Sequence, residues 1–513
     1  MTAPTANEQL LLEYINDARL DPLGDAARYI SSYAATATSA DADINSALRF
    51  FGVSGPTLLQ AFSALTPVAP LAWNDALSNA AQGHDAAMIA ADSQTHQAPG
   101  EADLGGRFTA AGYNFRSAGE NVYAFATGPL DAHAGFMVDW GNGPGGMQSP
   151  AGHRDNIMTA AFREIGIAEV HEGSAATQVG PEVVTEDLGT RGTTGVFVLG
   201  VAYSDTSGDD FYSLGEGRAG LSVSMAGTTV AGFDTGGYAL NSAATGAQTA
   251  VFTGAGLASP VSVAMNLANG ANVKIDIVSG TELKTSTSVS VSGPISKIEA
   301  IGVQGLSLSG SGLSAGQQTI QGGIGADTIA GGSGQTYLRG GDGGDVITGG
   351  SGFDDANGNM GADTIHGNAG DDYSVGGKDN DVLFGDAGND IVWGNLGADT
   401  CDGGDGNDQC RGGQGDDSVT GGAGNDFISG DRGNDTVAGG AGADIFHTSQ
   451  DAGIDRVLDF NLAEGDRVQV DPGTTFAVSQ QGADTVIDLG SGNQMILVGV
   501  SMSTLTGTWI FGA

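Results

Sequence analysis

"GGAGNDFISGDRGNDTVAGGAGADIF", residues 421–446, sets a glycine pair or Gly-Asp every nine residues, with an aspartate at the sixth place each time. Glycine loses more backbone entropy on folding than any other residue. A segment this rich in it needs stabilisation from outside the chain. Counting in nines from Gly322 gives fourteen consecutive blocks, the last starting at Gly439. Position one is glycine throughout. Position four is glycine except at Asp379, and position six is aspartate except at Thr336. Position two departs from glycine only to Asn359, Asn368, Asp386, Asn395 and Asp431. After glycine, Asn and Asp best tolerate left-handed backbone, so the departures obey the same constraint.

Each block reads as a six-residue turn followed by a three-residue strand. The strand centre is mainly apolar: Ile329, Leu338, Ile347, Ile365, Leu383, Val392, Val419, Ile428, Val437 and Phe446. One inward side chain makes no core, so coils must stack. With two blocks per coil, blocks n and n+2 lie about 4.8 Å apart, which brings their position-six carboxylates together. These repel unless a hard cation with oxygen ligands sits between the turns. The nonapeptide is a known calcium-binding repeat, and residues 322–447 resemble the RTX (hemolysin-type) parallel β-roll. The resemblance implies several calcium ions, held by Asp327, Asp345, Asp354, Asp363, Asp372, Asp381, Asp390, Asp399, Asp408, Asp417, Asp426, Asp435 and Asp444. Thr336 should weaken the sites its block shares, and Ala356 and Ser374, at inward positions, should soften one sheet. Cys401 and Cys410 fall at inward positions of opposite sheets. Packed sheets lie about 10 Å apart, and a disulfide needs Cα atoms within about 7 Å, so buried thiols are expected.

Charge agrees with a cation partner. The 513 residues carry 60 acids against 18 bases, a formal charge of −42. Residues 322–447 hold 22 Asp, no Glu and four Lys or Arg, which leaves −18. Such an imbalance disfavours nucleic acid and anionic membranes. No apolar run approaches the roughly 18 residues of a membrane span. The start, "MTAPTANEQLLLEYINDARLDP", lacks a basic stretch followed by an apolar one, so no cleaved secretory signal is expected. After Phe446 the rhythm gives way to alternating strands, "DRVLDF", "GDRVQV", "DTVIDLG" and "NQMILVGV", suited to capping a solenoid. This tail, 448–513, resembles the C-terminal region of RTX proteins. The resemblance implies an uncleaved C-terminal signal, a type I secretion apparatus as partner, and an extracellular location.

Residues 1–203 read as an α+β domain. "LLEYINDARLDP" and "LSNAAQGHDAAMIAA" carry helical spacing, and strands follow in "REIGIAEV" and "GVFVLGVAYSD". The ordered motifs "INDARLDP", "LAWNDALSNAAQGHDAAM", "THQAPGEADLGGRFTAAGY", "GENVYAF", "SPAGHRDNIM" and "REIGIAEV" resemble the bacterial SCP-like domain of the CAP superfamily, an α–β–α sandwich. The resemblance implies a cleft with His96, Glu120 and His153, a set able to hold Zn²⁺ with an open position. The family's second glutamate, one turn after a tryptophan, is missing after Trp140, and His133 is the substitute considered. His84 and His133 otherwise read as structural. For His96 and His153 the ligand role and a hydrogen-bonded role in the cleft wall both stay open. No nucleophile or compact metal motif accompanies them, so no catalytic residue is assigned. Ligand or surface binding leads, and a metal-assisted hydrolase is the alternative.

Residues 204–300 alternate apolar and polar residues around turns, a β-sandwich pattern that resembles the prealbumin-like modules of secreted proteins. "SDTSGDDFY" offers Asp205, Asp209 and Asp210 for a further calcium or, as an inter-domain turn, for none. The expected order is SCP-like head (1–203), β-sandwich (204–300), β-roll (301–447) and β-rich cap (448–513).

Overall fold

The computed structural model describes residues 3–173, 177–192, 195–267, 270–314 and 316–512. The chain forms two compact units, Met1–Thr287 with Ile301–Val303, and Ser288–Ala300 with Gln304–Ala513.

In the first unit, Thr5 and Glu8 close a capping box at the start of helix Ala6–Leu20, satisfying two N–H groups that a helix end leaves free. A four-stranded sheet orders Ala72–Trp73, Glu164–His171, Glu182–Arg191 and Phe115–Ala126. Helix Asp75–Ala91 lies on one face. Gly166 permits that approach, because a Cβ there would stand 1.9 Å from the Ser78 backbone nitrogen. On the other face Ile165, Ile167 and Leu188 join Leu11, Ile15, Ile44 and Leu48 of two further helices in one buried cluster. The result is the expected α–β–α layering.

Strand Val196–Tyr203, read from sequence as part of this head, pairs elsewhere. It runs antiparallel to Gly237–Ser242 and parallel to Val273–Val278. Every one of its residues is buried. An unbroken apolar run signals cover on both faces but does not name the partner. Glu282–Thr285 extends this sheet. Ser222–Met225, Thr228–Ala231, Gly246–Thr253 and Val261–Leu267 form an antiparallel set. Tyr238 meets Phe252 edge-to-face at 5.8 Å between the two sets.

The second unit is a parallel β-roll whose strands pair eighteen residues apart in two stacks. One runs from Thr328–Ala330 through Val346–Thr348 to Thr436–Ala441. The other runs from Gln317–Ile324 through Gln335–Asp342 to Ile445–Thr448. Stacking begins before residue 301: Val289–Gly293 pairs with Ser307–Leu313, and Lys297–Ala300 with Gln317–Ile324. The inward residues named from sequence are buried, as are Ala356, Ser374 and the free thiols of Cys401 and Cys410. The tail continues both stacks. Ile454–Val457 lies on Thr436–Ala441 and Arg467–Val470 on Ile445–Thr448. A hairpin meander and Ile510–Gly512 follow.

Candidate metal centres

The turn geometry follows from positions two and four. Gly323 and Gly325 sit at φ +96° and +109°. The six residues that replace glycine at these positions, Asn359, Asn368, Asp379, Asp386, Asn395 and Asp431, all adopt φ between 69° and 79°. Each position-six aspartate turns inward, to 1–3% exposure, with left-handed kinks at these positions in most turns. There its Oδ1 accepts a backbone N–H from the coil before: that of Leu306 at Asp327, that of Thr336 at Asp354, and elsewhere that of the aspartate eighteen residues earlier, as in Asp372 to Asp390 at 2.8 Å and Asp390 to Asp408 at 2.7 Å. The second oxygen, Oδ2, is buried with no hydrogen-bond partner at Asp327, Asp345, Asp363, Asp372, Asp381, Asp390, Asp399, Asp408, Asp417, Asp426, Asp435 and Asp444. Burial pushes Asp363, Asp372, Asp381, Asp390, Asp417 and Asp426 up to about 7.

A buried oxygen without a partner is costly, and these twelve recur in register. Position one supplies the matching cradle. The space a Cβ would fill at Gly403 lies 2.4 Å from the Gly421 carbonyl oxygen and 2.6 Å from Asp408 Oδ2. At Gly322 it lies 2.5 Å from both Asp327 Oδ2 and the Gly340 oxygen. The carboxylate and carbonyl oxygens that converge there form an all-oxygen donor set, which suits Ca²⁺. The roll's residues therefore fit the ion.

Asp354 is the exception. Its Oδ1 accepts from both the backbone and the hydroxyl of Thr336, and its Oδ2 accepts from the Gly350 N–H. Protein donors satisfy both of its oxygens. Two rungs escaped the count in nines. Asp455 Oδ1 accepts from the Asp435 N–H at 3.3 Å, and Asp466 Oδ1 from that of Asp444 at 3.1 Å. Their spacings of 20 and 22 break the period. Each nevertheless heads a "DRV" triplet that repeats positions six to eight.

In the head, His96 Nδ1 lies 2.9 Å from Glu120 Oε1, and the Arg107 guanidinium pairs with the other Glu120 oxygen. Arg107 also donates to the His96 carbonyl at 3.1 Å. His153, at the start of helix Gly152–Ile157, has Nδ1 3.0 Å from Asp139 Oδ1. Asp139 is buried in a left-handed conformation at φ 56°, and it precedes Trp140, whereas the family's glutamate follows its tryptophan. That offset hid it from sequence. Glu120 does not suit the ligand role, since a guanidinium already neutralises it. Among the described residues His96, Glu120 and His153 form no cluster of three converging donors. The carboxylates instead orient the two imidazoles through Nδ1.

His84 is buried between Glu101, at 2.8 Å, and the Thr95 carbonyl, at 2.8 Å. His133 is no substitute ligand. It lies in the core with Nε2 2.9 Å from Asp25 and Tyr14 stacked on its ring at 5.4 Å. Phe50, Phe51, Tyr123, Phe125, Phe136, Trp140 and His153 line a cavity of about 330 Å³. In the acidic loop the converging carboxylates are Asp205, Asp209 and Glu216, while Asp210 pairs with Lys284 at 2.7 Å. Loop N–H and hydroxyl groups already occupy the first three, four of them on Glu216 alone.

Residues 12–183 match the family model of cysteine-rich secretory proteins (CAP). Residues 314–338, 339–373, 375–410 and 411–446 match the RTX calcium-binding nonapeptide repeat. No curated protein matches. Among solved structures, an SCP-domain extracellular protein from Bacillus anthracis str. Ames aligns at 22% identity over 26% of this chain and 37% of its own, with a TM-score of 0.19. Extracellular lipase LipA from Serratia marcescens aligns at 19% identity over 43% and 45%, with a TM-score of 0.17. The chain thus spans less than half of either, and neither likeness carries an argument. The two family matches do: the chain joins a domain of the cysteine-rich secretory protein family to RTX repeats, and it is a calcium-binding protein of extracellular type.

Proposed function

We propose that extracellular calcium folds the roll after export and that the folded protein carries its N-terminal domain as a ligand- or surface-binding module. The carrying observation is the set of twelve buried Oδ2 atoms without hydrogen-bond partners. Without an ion they oppose folding; with one they become its ligands. Extracellular calcium modules bind with Kd of about 10⁻⁴–10⁻³ M, too weak for the cytosol to fill. A chain held at −18 in this segment then stays unfolded for a type I apparatus that reads residues 448–513. Circular dichroism of the full chain tests the first step. The β signal should rise with millimolar calcium, and a complete roll in excess chelator would refute it. Deletion of residues 448–513 tests the second, since secretion that survives it removes the proposed signal.

For the head, the aromatic cavity beside His153 supports binding of a small apolar ligand. A metal-assisted hydrolase is the second reading, favoured by one observation: both His96 and His153 hold a carboxylate on Nδ1, the outer-shell arrangement that orients zinc-binding imidazoles. In it Glu120 positions His96 and ligates nothing. Zinc calorimetry on wild type and His153→Ala decides it, and a wild type that binds no zinc ends that reading.

A further inference from the structure

The cavity beside His153 is more than apolar. Tyr123, Phe136 and Trp140 line it around the imidazole, and Phe50 and Phe125 line it from exposed positions. Tyr123 stands at 66° to Phe136 and at 67° to Trp140, with ring centres 6.1 and 6.3 Å apart. Phe136 stands at 67° to the His153 ring, 5.4 Å away. Rings inclined so steeply turn faces as well as edges toward one space. An aromatic face is electron-rich and attracts a cation. Among the described residues the lining holds no Lys, Arg, Asp or Glu, so nothing in it repels one by formal charge.

His153 is the polar end of this cavity. Asp139 holds its Nδ1 at 3.0 Å and accepts its backbone N–H at 3.1 Å. Asp139 is fully buried and acts from behind the ring. A carboxylate only accepts, so the neutral imidazole carries its proton on Nδ1 and offers a lone pair at Nε2. Among the described residues Nε2 makes no hydrogen bond. Asp139 and a neutral His153 together carry −1. Two more buried acids stand close, Glu186 to His153 and Asp131 to Tyr123. The guanidinium near Asp139, that of Arg154, donates to the Met137 and Val138 carbonyls and lies 5.7 Å over Phe62, outside the lining.

An acceptor at the end of an aromatic cavity, with a buried carboxylate behind it, asks for a ligand that donates and is positive. A carboxylate ligand would face the Nε2 lone pair and Asp139. An alcohol would satisfy Nε2 but gain nothing from the ring faces. We propose that the cavity binds a small protonated amine on an apolar body, with the ammonium donating to His153 Nε2 and lying against the aromatic faces. This rests on reading the head as a ligand-binding module. A volume of about 330 Å³ is at the small end of ligand sites, which suits an amine of arylalkyl size. Zinc on Nε2 and an ammonium there exclude each other.

The test is calorimetric titration of the full chain in millimolar calcium, free of zinc, with 2-phenylethylamine, 2-phenylethanol and 3-phenylpropionate. At pH 8 an ordinary imidazole is neutral and an alkylamine is charged. The amine should bind about tenfold or more tightly than the alcohol, and the carboxylate most weakly. Asp139→Asn keeps an acceptor for Nδ1 and tolerates the left-handed backbone at φ 56°. It should weaken the amine about tenfold and leave the alcohol unchanged. Circular dichroism checks its fold. Where it does not fold, Phe125→Leu should weaken the amine about threefold and the alcohol less; equal losses would overturn the proposal. Equal affinity for amine and alcohol, tighter binding of the carboxylate, or a folded Asp139→Asn that holds the amine like wild type would also overturn it. Each of these leaves the apolar-ligand reading standing. Binding of none of the three would remove both.

Discussion

The N-terminal layers and the roll solve the same problem with opposite means. In the head, Leu11, Ile15, Ile44, Leu48, Ile165, Ile167 and Leu188 close a continuous apolar cluster from both helix and sheet. Area removed from water drives that region, at about 25 cal/mol per Å². In the roll most strands bury a single apolar side chain, and burial together with the charges of Asp408 and Asp372 raises the Asp390 carboxyl. There an external ion must complete the structure. The difference separates what the chain carries within itself from what its surroundings supply.

Chelation attacks that difference most directly. Excess EDTA should remove the roll's β signal while the head keeps its helical signal and resists limited proteolysis. Each rung filled at tenfold its Kd adds about 1.4 kcal/mol by mass action, so losing many at once exceeds the stability of an ordinary domain. Simultaneous loss of both signals would break the comparison.

Acidity should partly replace calcium. Burial raises Asp372, Asp381 and Asp390 from an ordinary 3.8 to about 7 in the ion-free roll. A carboxyl whose folded value is raised stabilises the fold fully below the unfolded value and loses that contribution as pH rises through the folded one. The calcium-free roll should therefore show more β signal at pH 4 than at pH 8, by circular dichroism. Equal signals would mean that the carboxylates are not what holds the apo chain open.

Paired substitutions sharpen the contrast at single positions. Gly403→Ala puts a methyl where Gly421 O and Asp408 Oδ2 converge and should raise the calcium midpoint severalfold. Gly166→Ala presses on Ser78 in the head and should cost about 1–3 kcal/mol, lowering the head's melting temperature without moving the calcium midpoint. Asp390→Asn should shift the midpoint and Asp354→Asn should not, because Thr336 and Gly350 already satisfy Asp354. The smallest effect is expected at Ser374, whose buried hydroxyl has no partner. Ser374→Val should raise the calcium-loaded melting temperature, by about 1 kcal/mol of added stability.

The roll was legible because its constraint is local and periodic. Left-handed positions admit Gly, Asn or Asp, and the exceptions to glycine fell where φ is positive. Legibility stopped where the period did: Asp455 and Asp466 occupy the same hydrogen-bonding place at other spacings. In the head, helices and layers followed from apolar spacing, and the resemblance named His96, Glu120 and His153. It did not foresee Arg107 on Glu120 or Asp139 on His153, since these meetings depend on loops and a short π-helical turn that no periodicity encodes. Strand Val196–Tyr203 shows the same limit, because pairing partners are a tertiary matter.

The eighteen-residue register makes the roll a ruler graduated in whole coils. Excising residues 385–402 would join Phe384 to Gly403 and leave each remaining strand in its own stack. Excising nine residues, 385–393, would transfer everything downstream to the opposite stack. Arg411 and Arg432 would then change stacks, and the strands that Ile454–Val457 and Arg467–Val470 now cover would exchange sides. The molecule can lengthen or shorten by full graduations, and a half graduation turns its two faces inside the same sequence.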